Sequence, residues 1–118
     1  MNLPMIWQEL TDIAQLDTLT EESREVPVGI FKHSTRCSIS ATALDRLERR
    51  WPKAEGTEAL KMYYLDLIAH RDISNAIAEK YGVQHESPQF ILLKGGTAVY
   101  HESHYGISLE DILSQARN

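Results

Sequence analysis

Residues 28–40 run VGIFKHSTRCSIS, from Val28 to Ser40, and the rest of the chain is organised around them. Val28-Gly29-Ile30-Phe31 is a short apolar run of the kind that forms a strand covered on both faces. Lys32-His33-Ser34-Thr35-Arg36 is a polar turn, and Cys37, the only cysteine, follows it directly. From Ser38 the apolar period becomes helical. Ile39, Ala43, Leu44, Leu47 and Trp51 fall on one face, and Asp45, Arg46, Glu48, Arg49 and Arg50 on the other. The succession strand, turn, thiol, helix exposes a sulfur at the end of a sheet, in the positive field of a helix N-terminus.

Outward from this stretch the elements follow in a regular order. Pro27 suits the entry of the strand, where its missing donor costs little. Upstream, Thr11-Asp12 is the expected N-cap of a helix reaching about Ser23, with Ile13, Leu16 and Leu19 as its apolar stripe. A short extended piece is expected at Met5 to Gln8. Downstream, Pro52 stops the helix that follows the thiol. A polar connection over Lys53 to Glu58 leads to a second strand, Leu60 to Leu67. Strand, helix, strand implies parallel pairing with a right-handed crossover. Asp72 is the expected cap of a helix through Ile73, Ala76, Ile77 and Tyr81, ended by Gly82. After a loop over His85 to Pro88, Gln89–Lys94 and Thr97–His101 form a hairpin about Gly95-Gly96. A loop over Ser103 to Gly106 and a helix from Ser108 to Ala116, burying Leu109, Ile112 and Leu113, close the chain. This order predicts one α/β domain over residues 1–118: a mixed sheet, from a βαβ unit and an antiparallel hairpin, flanked by helices.

Composition narrows the function. Twelve basic and 17 acidic residues give a net charge of -5, which argues against nucleic acid or an anionic membrane as the main partner. The start, Met1 to Trp7, lacks the pattern of a signal peptide. A single cysteine cannot form an internal disulfide, so a reducing cytoplasmic setting is expected. His85, His101 and His104 have no metal-ligand pattern, and no metal is expected.

Out of context a free cysteine is a small packing residue. Here Cys37 sits between Arg36 and Ser38 at a predicted helix start. The guanidinium and the helix N-terminus both favour the thiolate, the attacking species. Ser40 completes a C-x-x-S pattern. Its hydroxyl can donate toward the sulfur, or can satisfy a backbone group of the first turn. His33, just before the thiol, either tunes it or, the favoured reading, is a hydrogen-bonded loop histidine. Gly106, with His104 and Tyr105, either borders the thiol or forms a solvated turn.

The segment FKHSTRCSIS, Phe31 to Ser40, resembles the active-site segment of the YtxJ-like monothiol bacilliredoxins, a branch of the thioredoxin-like superfamily. The family's usual form carries proline where this chain has Ser38. The resemblance implies a thioredoxin-like fold and a thiol–disulfide oxidoreductase. It would remove a low-molecular-weight thiol such as bacillithiol from S-thiolated client proteins through Cys37. It further implies that Arg36 and Ser40 stabilise the thiolate, and that Thr35, Ser38, Ser87, Pro88 and Gly106 meet the substrate. Pro88 would follow a cis bond and present the Ser87 backbone to the partner. The small thiol is a co-substrate, and no bound cofactor is expected. Two other readings stay open at this level: a non-catalytic thioredoxin-like binding module, and a monothiol glutaredoxin-like protein using glutathione or an iron–sulfur cluster.

Overall fold

The computed structural model describes residues 7–118. Among the described residues nine strands and helices follow one another: β1 (Trp7–Glu9), α1 (Gln15–Glu22), β2 (Val28–His33), α2 (Ser38–Arg50), β3 (Lys61–Asp66), α3 (Arg71–Tyr81), β4 (Gln89–Lys94), β5 (Thr97–Ser103) and α4 (Leu109–Arg117). Tight 3-10 turns occupy Trp51–Lys53, Thr57–Ala59 and His104–Gly106. The sheet has five strands in the order β1-β3-β2-β4-β5. β1 and β2 flank β3 in parallel, while β4 runs antiparallel to both β2 and β5. The expected parallel unit and hairpin are therefore both present, joined at β2–β4. No helix among the described residues is long and apolar enough to cross a membrane.

Strand alternation divides the core into two layers. Val28, Ile30, Tyr63, Leu65, Ile91 and Leu93 pack with Leu16 and Leu19 of α1 and Ile73 and Ile77 of α3. Phe31, Met62, Phe90 and Leu92 pack with Ala43 and Leu47 of α2 and Leu109, Ile112 and Leu113 of α4. Both faces of β2 are covered, and its six residues are all buried. Gly29 has a packing reason to be there. A Cβ at this position would lie 2.6 Å from Phe90 Cζ and 2.8 Å from Met62 Sδ. Gly95 and Gly96 take positive φ values of 63° and 85°, the backbone that the hairpin turn requires. Their amides donate to the carbonyl and hydroxyl of Ser23, tying the hairpin to the end of α1.

Several boundaries differ from expectation. β1 is an edge strand over Trp7–Glu9, one residue beyond the expected end at Gln8; Met5 and Ile6 lie outside the described residues. α1 starts at Gln15 rather than after Asp12. The Asp12 side chain accepts from the Ala14 amide and Gln15 Oε1 accepts from the amides of Thr11 and Asp12, making a turn before the helix. Ile13 is thereby 46% exposed and does not join the buried stripe. Asp72 lies inside the first turn of α3, whose cap position is His70. The carboxylate that binds amides in this connection is Asp66, through Ile68 and Ala69.

Candidate active site

Cys37 occupies the N-cap of α2, with extended backbone (φ -116°, ψ 120°). Its amide donates to the Ser34 carbonyl over 3.2 Å, closing the turn, and its carbonyl accepts the Ala41 amide at 3.0 Å. The residue is half-buried and its side chain makes no capping bond. The first-turn amides of a helix have no partners within the helix, so they can receive negative charge on the adjoining sulfur. The first turn of α2 contains no acidic residue to oppose this. Ile39, next on the helix, stays half-exposed and adds apolar surface beside the thiol.

Ser40 does not serve the sulfur as a donor. It is fully buried, with its hydroxyl 2.6 Å from His33 Nδ1, and it accepts the Ser34 amide at 3.0 Å. The backbone-satisfying alternative is the one realised. Ser40 pins the turn that presents Cys37 instead of touching the thiol. His33 is the last residue of β2 rather than part of a loop, and it is buried between Phe31 and Tyr64. Burial pushes its pKa below the usual imidazole value, with the Asp66 charge acting in the opposite sense.

The Ser87–Pro88 bond is cis, as the resemblance implies. The β2–β4 register ends at Lys32 opposite Gln89. Pro88 and Ser87 directly precede Gln89 in the chain, and His33 and Ser34 directly follow Lys32. The Pro88 carbonyl accepts the His104 amide at 3.0 Å, and the His104–Gly106 turn lies against α2. The thiol turn, the Ser87–Pro88 segment and the His104–Gly106 turn thus meet at one end of the sheet. Ser87 Oγ and Gln89 Oε1, on either side of Pro88, are buried with no hydrogen-bond partner. Such a group costs about 1–3 kcal/mol when left unpaired, which marks this segment as unusual.

Thr35, Arg36 and Ser38 are all exposed around Cys37. Arg36 makes no salt bridge among the described residues. Gly106 is exposed beside α2, and a Cβ there would lie 2.7 Å from the Glu102 carboxyl carbon. Tyr105, in the same turn, is 71% exposed. The sequence reading ended the first core strand, Val28 to Lys32, at this lysine and gave it no role. It is fully buried in β2, and its ammonium donates to the Ser74 carbonyl and to His85 Nδ1. A lysine closing an otherwise apolar strand run was the signal available.

Comparison with known proteins agrees with this geometry. Residues 8–112 match the family described as Monothiol bacilliredoxin BrxC. A solved structure described as an oxidoreductase with a thioredoxin fold superposes with a TM-score of 0.80 at 32% identity, covering 96% of this chain and 95% of the other. The thioredoxin of Malassezia sympodialis gives a TM-score of 0.73 at 18% identity, over 96% of this chain and 91% of its own. The Schistosoma mansoni thioredoxin pre-protein gives 0.68 at 22% identity, over 93% and 97%. The last two establish the thioredoxin fold alone.

Proposed function

The chain belongs to the monothiol bacilliredoxin family, and from that premise we propose that it removes a low-molecular-weight thiol, bacillithiol in the first instance, from mixed disulfides with client proteins. The observation that carries this reading is the place of Cys37, the only cysteine, at the N-cap of α2 beside a cis Ser87–Pro88 segment. The Cys37 thiolate attacks the small-thiol sulfur of the mixed disulfide. A new S–S bond forms between Cys37 and the small thiol, and the client's S–S bond breaks. The client leaves as a thiolate, reduced, and takes a proton from water. Cys37 is left in a mixed disulfide. A second small thiol then attacks the adduct, leaving as a symmetric or mixed small disulfide with loss of its proton, and Cys37 returns as thiolate.

The first-turn amides of α2 and the exposed Arg36 are assigned to the thiolate. Ser87, Pro88, Thr35, Ser38 and the Gly106 turn are assigned to docking. The meeting of the thiol turn, the Ser87–Pro88 segment and the His104–Gly106 turn at one end of the sheet supports this. The exposed Tyr105 ring and half-exposed Ile39 offer apolar contact nearby. The reaction belongs in a reducing cytoplasm, where small thiols are abundant.

Intact-mass analysis after mixing reduced protein with a bacillithiol-modified client tests the reading. The native protein should gain the mass of one bacillithiol as the client is reduced, and Cys37→Ser should gain nothing. Transfer from a glutathione-modified client alone would favour the glutaredoxin-like alternative. No transfer from either client, with Cys37 alkylated no faster than free cysteine, would leave a binding module.

A further inference from the structure

Lys32 carries an ammonium in a place that ordinarily excludes one. It is 0% exposed, and no carboxylate lies within salt-bridge distance among the described residues. Burial alone holds its pKa down to about 8, from an ordinary value of 10.5. A buried charge without a counter-ion is costly, so the position asks for a compensating use. Its acceptors are the Ser74 carbonyl of α3 at 3.2 Å and His85 Nδ1 at 3.3 Å. Lysine only donates, so Nδ1 must be the unprotonated nitrogen of His85 and the ring proton sits on Nε2. Ser74 Oγ lies 3.2 Å from the same Nδ1.

His85 belongs to the loop that leads into Ser87–Pro88. Among the described residues, Gln84 to Ser87 take part in no backbone–backbone hydrogen bond. Side chains tether the loop instead. Gln89 Nε2 donates to the Gln84 carbonyl at 2.9 Å, Lys32 and Ser74 meet His85, and His104 Nε2 stands 3.4 Å from Glu86 Oε1. The last pair is about half exposed, and water weakens it. Lys32 provides the charge-assisted contact, from a strand packed on both faces. Lys32 and Gln89 are also cross-strand partners, so two tethers of the loop spring from one rung of the sheet. That rung lies next to His33, whose partner Ser40 pins the thiol turn.

We propose that Lys32 is a positioning residue for substrate docking: through His85 it holds the Gln84–Ser87 loop so that Ser87 and Pro88 meet the incoming disulfide in register with Cys37. This rests on the thiol-transfer function proposed above. A loop without ladder bonds opens at small cost, so the side chains that tie it decide where the docking residues sit.

Lys32→Met, His85→Ala, His85→Gln and Lys32→Met/His85→Ala variants test it. Lys32→Met keeps the length of the side chain and removes the charge. Three readouts are compared with native protein: KM and kcat for a bacillithiol-modified client, iodoacetamide alkylation of Cys37, and the NMR titration of the His85 ring. The expected result for Lys32→Met is a KM about tenfold higher with kcat changed less than threefold, and an alkylation rate within twofold. His85→Ala should match it, the double variant should lose nothing further, and His85→Gln, which keeps an acceptor, should recover most of the KM. The His85 ring should titrate at higher pH once the neighbouring cation is gone. KM within twofold of native in both single variants would overturn the proposal, as would additive losses in the double variant. If native protein transferred no small thiol, the function proposed above would fall by itself. The His85 titration would still decide the tether: an unmoved midpoint in Lys32→Met would overturn it, and a raised one would uphold it.

Discussion

His33 Nδ1 lies 2.6 Å from Ser40 Oγ, joining the last residue of β2 to the first turn of α2 across the thiol-bearing turn. The Ser34 amide donates to the same oxygen, so one hydroxyl holds both ends of the turn that carries Cys37. In a C-x-x-C relative a second sulfur would occupy this position. Here the oxygen fastens the turn and cannot resolve an adduct.

Ser40→Ala should therefore cost stability. It leaves the Ser34 amide and the buried His33 nitrogen without their common partner, a loss of about 1–3 kcal/mol. Urea denaturation checks this. Ser40→Cys should change the chemistry instead. The native adduct on Cys37 should persist until an external thiol arrives. The variant should release it unaided and end as an internal disulfide, lighter by its two thiol hydrogens. Equal release rates without added thiol would rule out the monothiol mechanism.

Gly29→Ala should destabilise by about 1–3 kcal/mol through overpacking. The added methyl would meet the Phe90 ring edge at 2.6 Å and Met62 Sδ at 2.8 Å, with both side chains buried in the α2–α4 layer. Its signature is a lower denaturation midpoint at an unchanged denaturant slope.

Stability should rise with pH above about 8 because of Lys32. Its folded pKa, about 8, lies below the ordinary 10.5, so between these values the unfolded chain binds more protons than the folded one. By linkage the folded state gains as pH climbs through that window, by up to about 3 kcal/mol if no other group intervened. Tyr63, Tyr64, Tyr81 and Tyr100 act in the opposite sense above about pH 10, because burial raises each phenol. Urea midpoints at pH 7 and pH 9.5 should differ in native protein, and Lys32→Met should remove the rise.

On the acid side Glu22 should contribute. Its carboxylate accepts from Lys61 Nζ at 2.6 Å and from the Tyr63 hydroxyl at 2.5 Å. Burial works to raise its pKa, but these hydrogen bonds and the Lys61 charge outweigh it and hold the group below the usual 4.5. A depressed carboxylate stabilises above the unfolded value and loses that contribution as pH falls through the folded one. Glu22→Gln should flatten the loss of stability below about pH 4.5, read as urea midpoints between pH 3 and pH 6.

Local pattern in the sequence determined the order of the elements. The apolar run at Val28–Phe31, the helical stripe from Ile39 to Trp51 and the Gly95-Gly96 turn each specify their own backbone, through strand burial, helix period and positive φ. The place of Cys37 before a helix followed from the same change of period, and the FKHSTRC segment pointed to the family that residues 8–112 match. Tertiary structure alone decided where side chains separated in sequence meet. Ser40 turns to His33 and Ser34 because a buried hydroxyl must take the partners that packing brings to it. Ile13 is left 46% exposed in the turn that Asp12 and Gln15 fasten ahead of α1. Lys32 reads in the chain as the polar end of a strand, yet it is fully buried with its ammonium on His85, 53 residues away. Only the pairing of β2 with β4 puts Lys32 and Gln89, the two side chains that tether the His85 loop, at one rung, because register is a property of the assembled sheet and not of either strand.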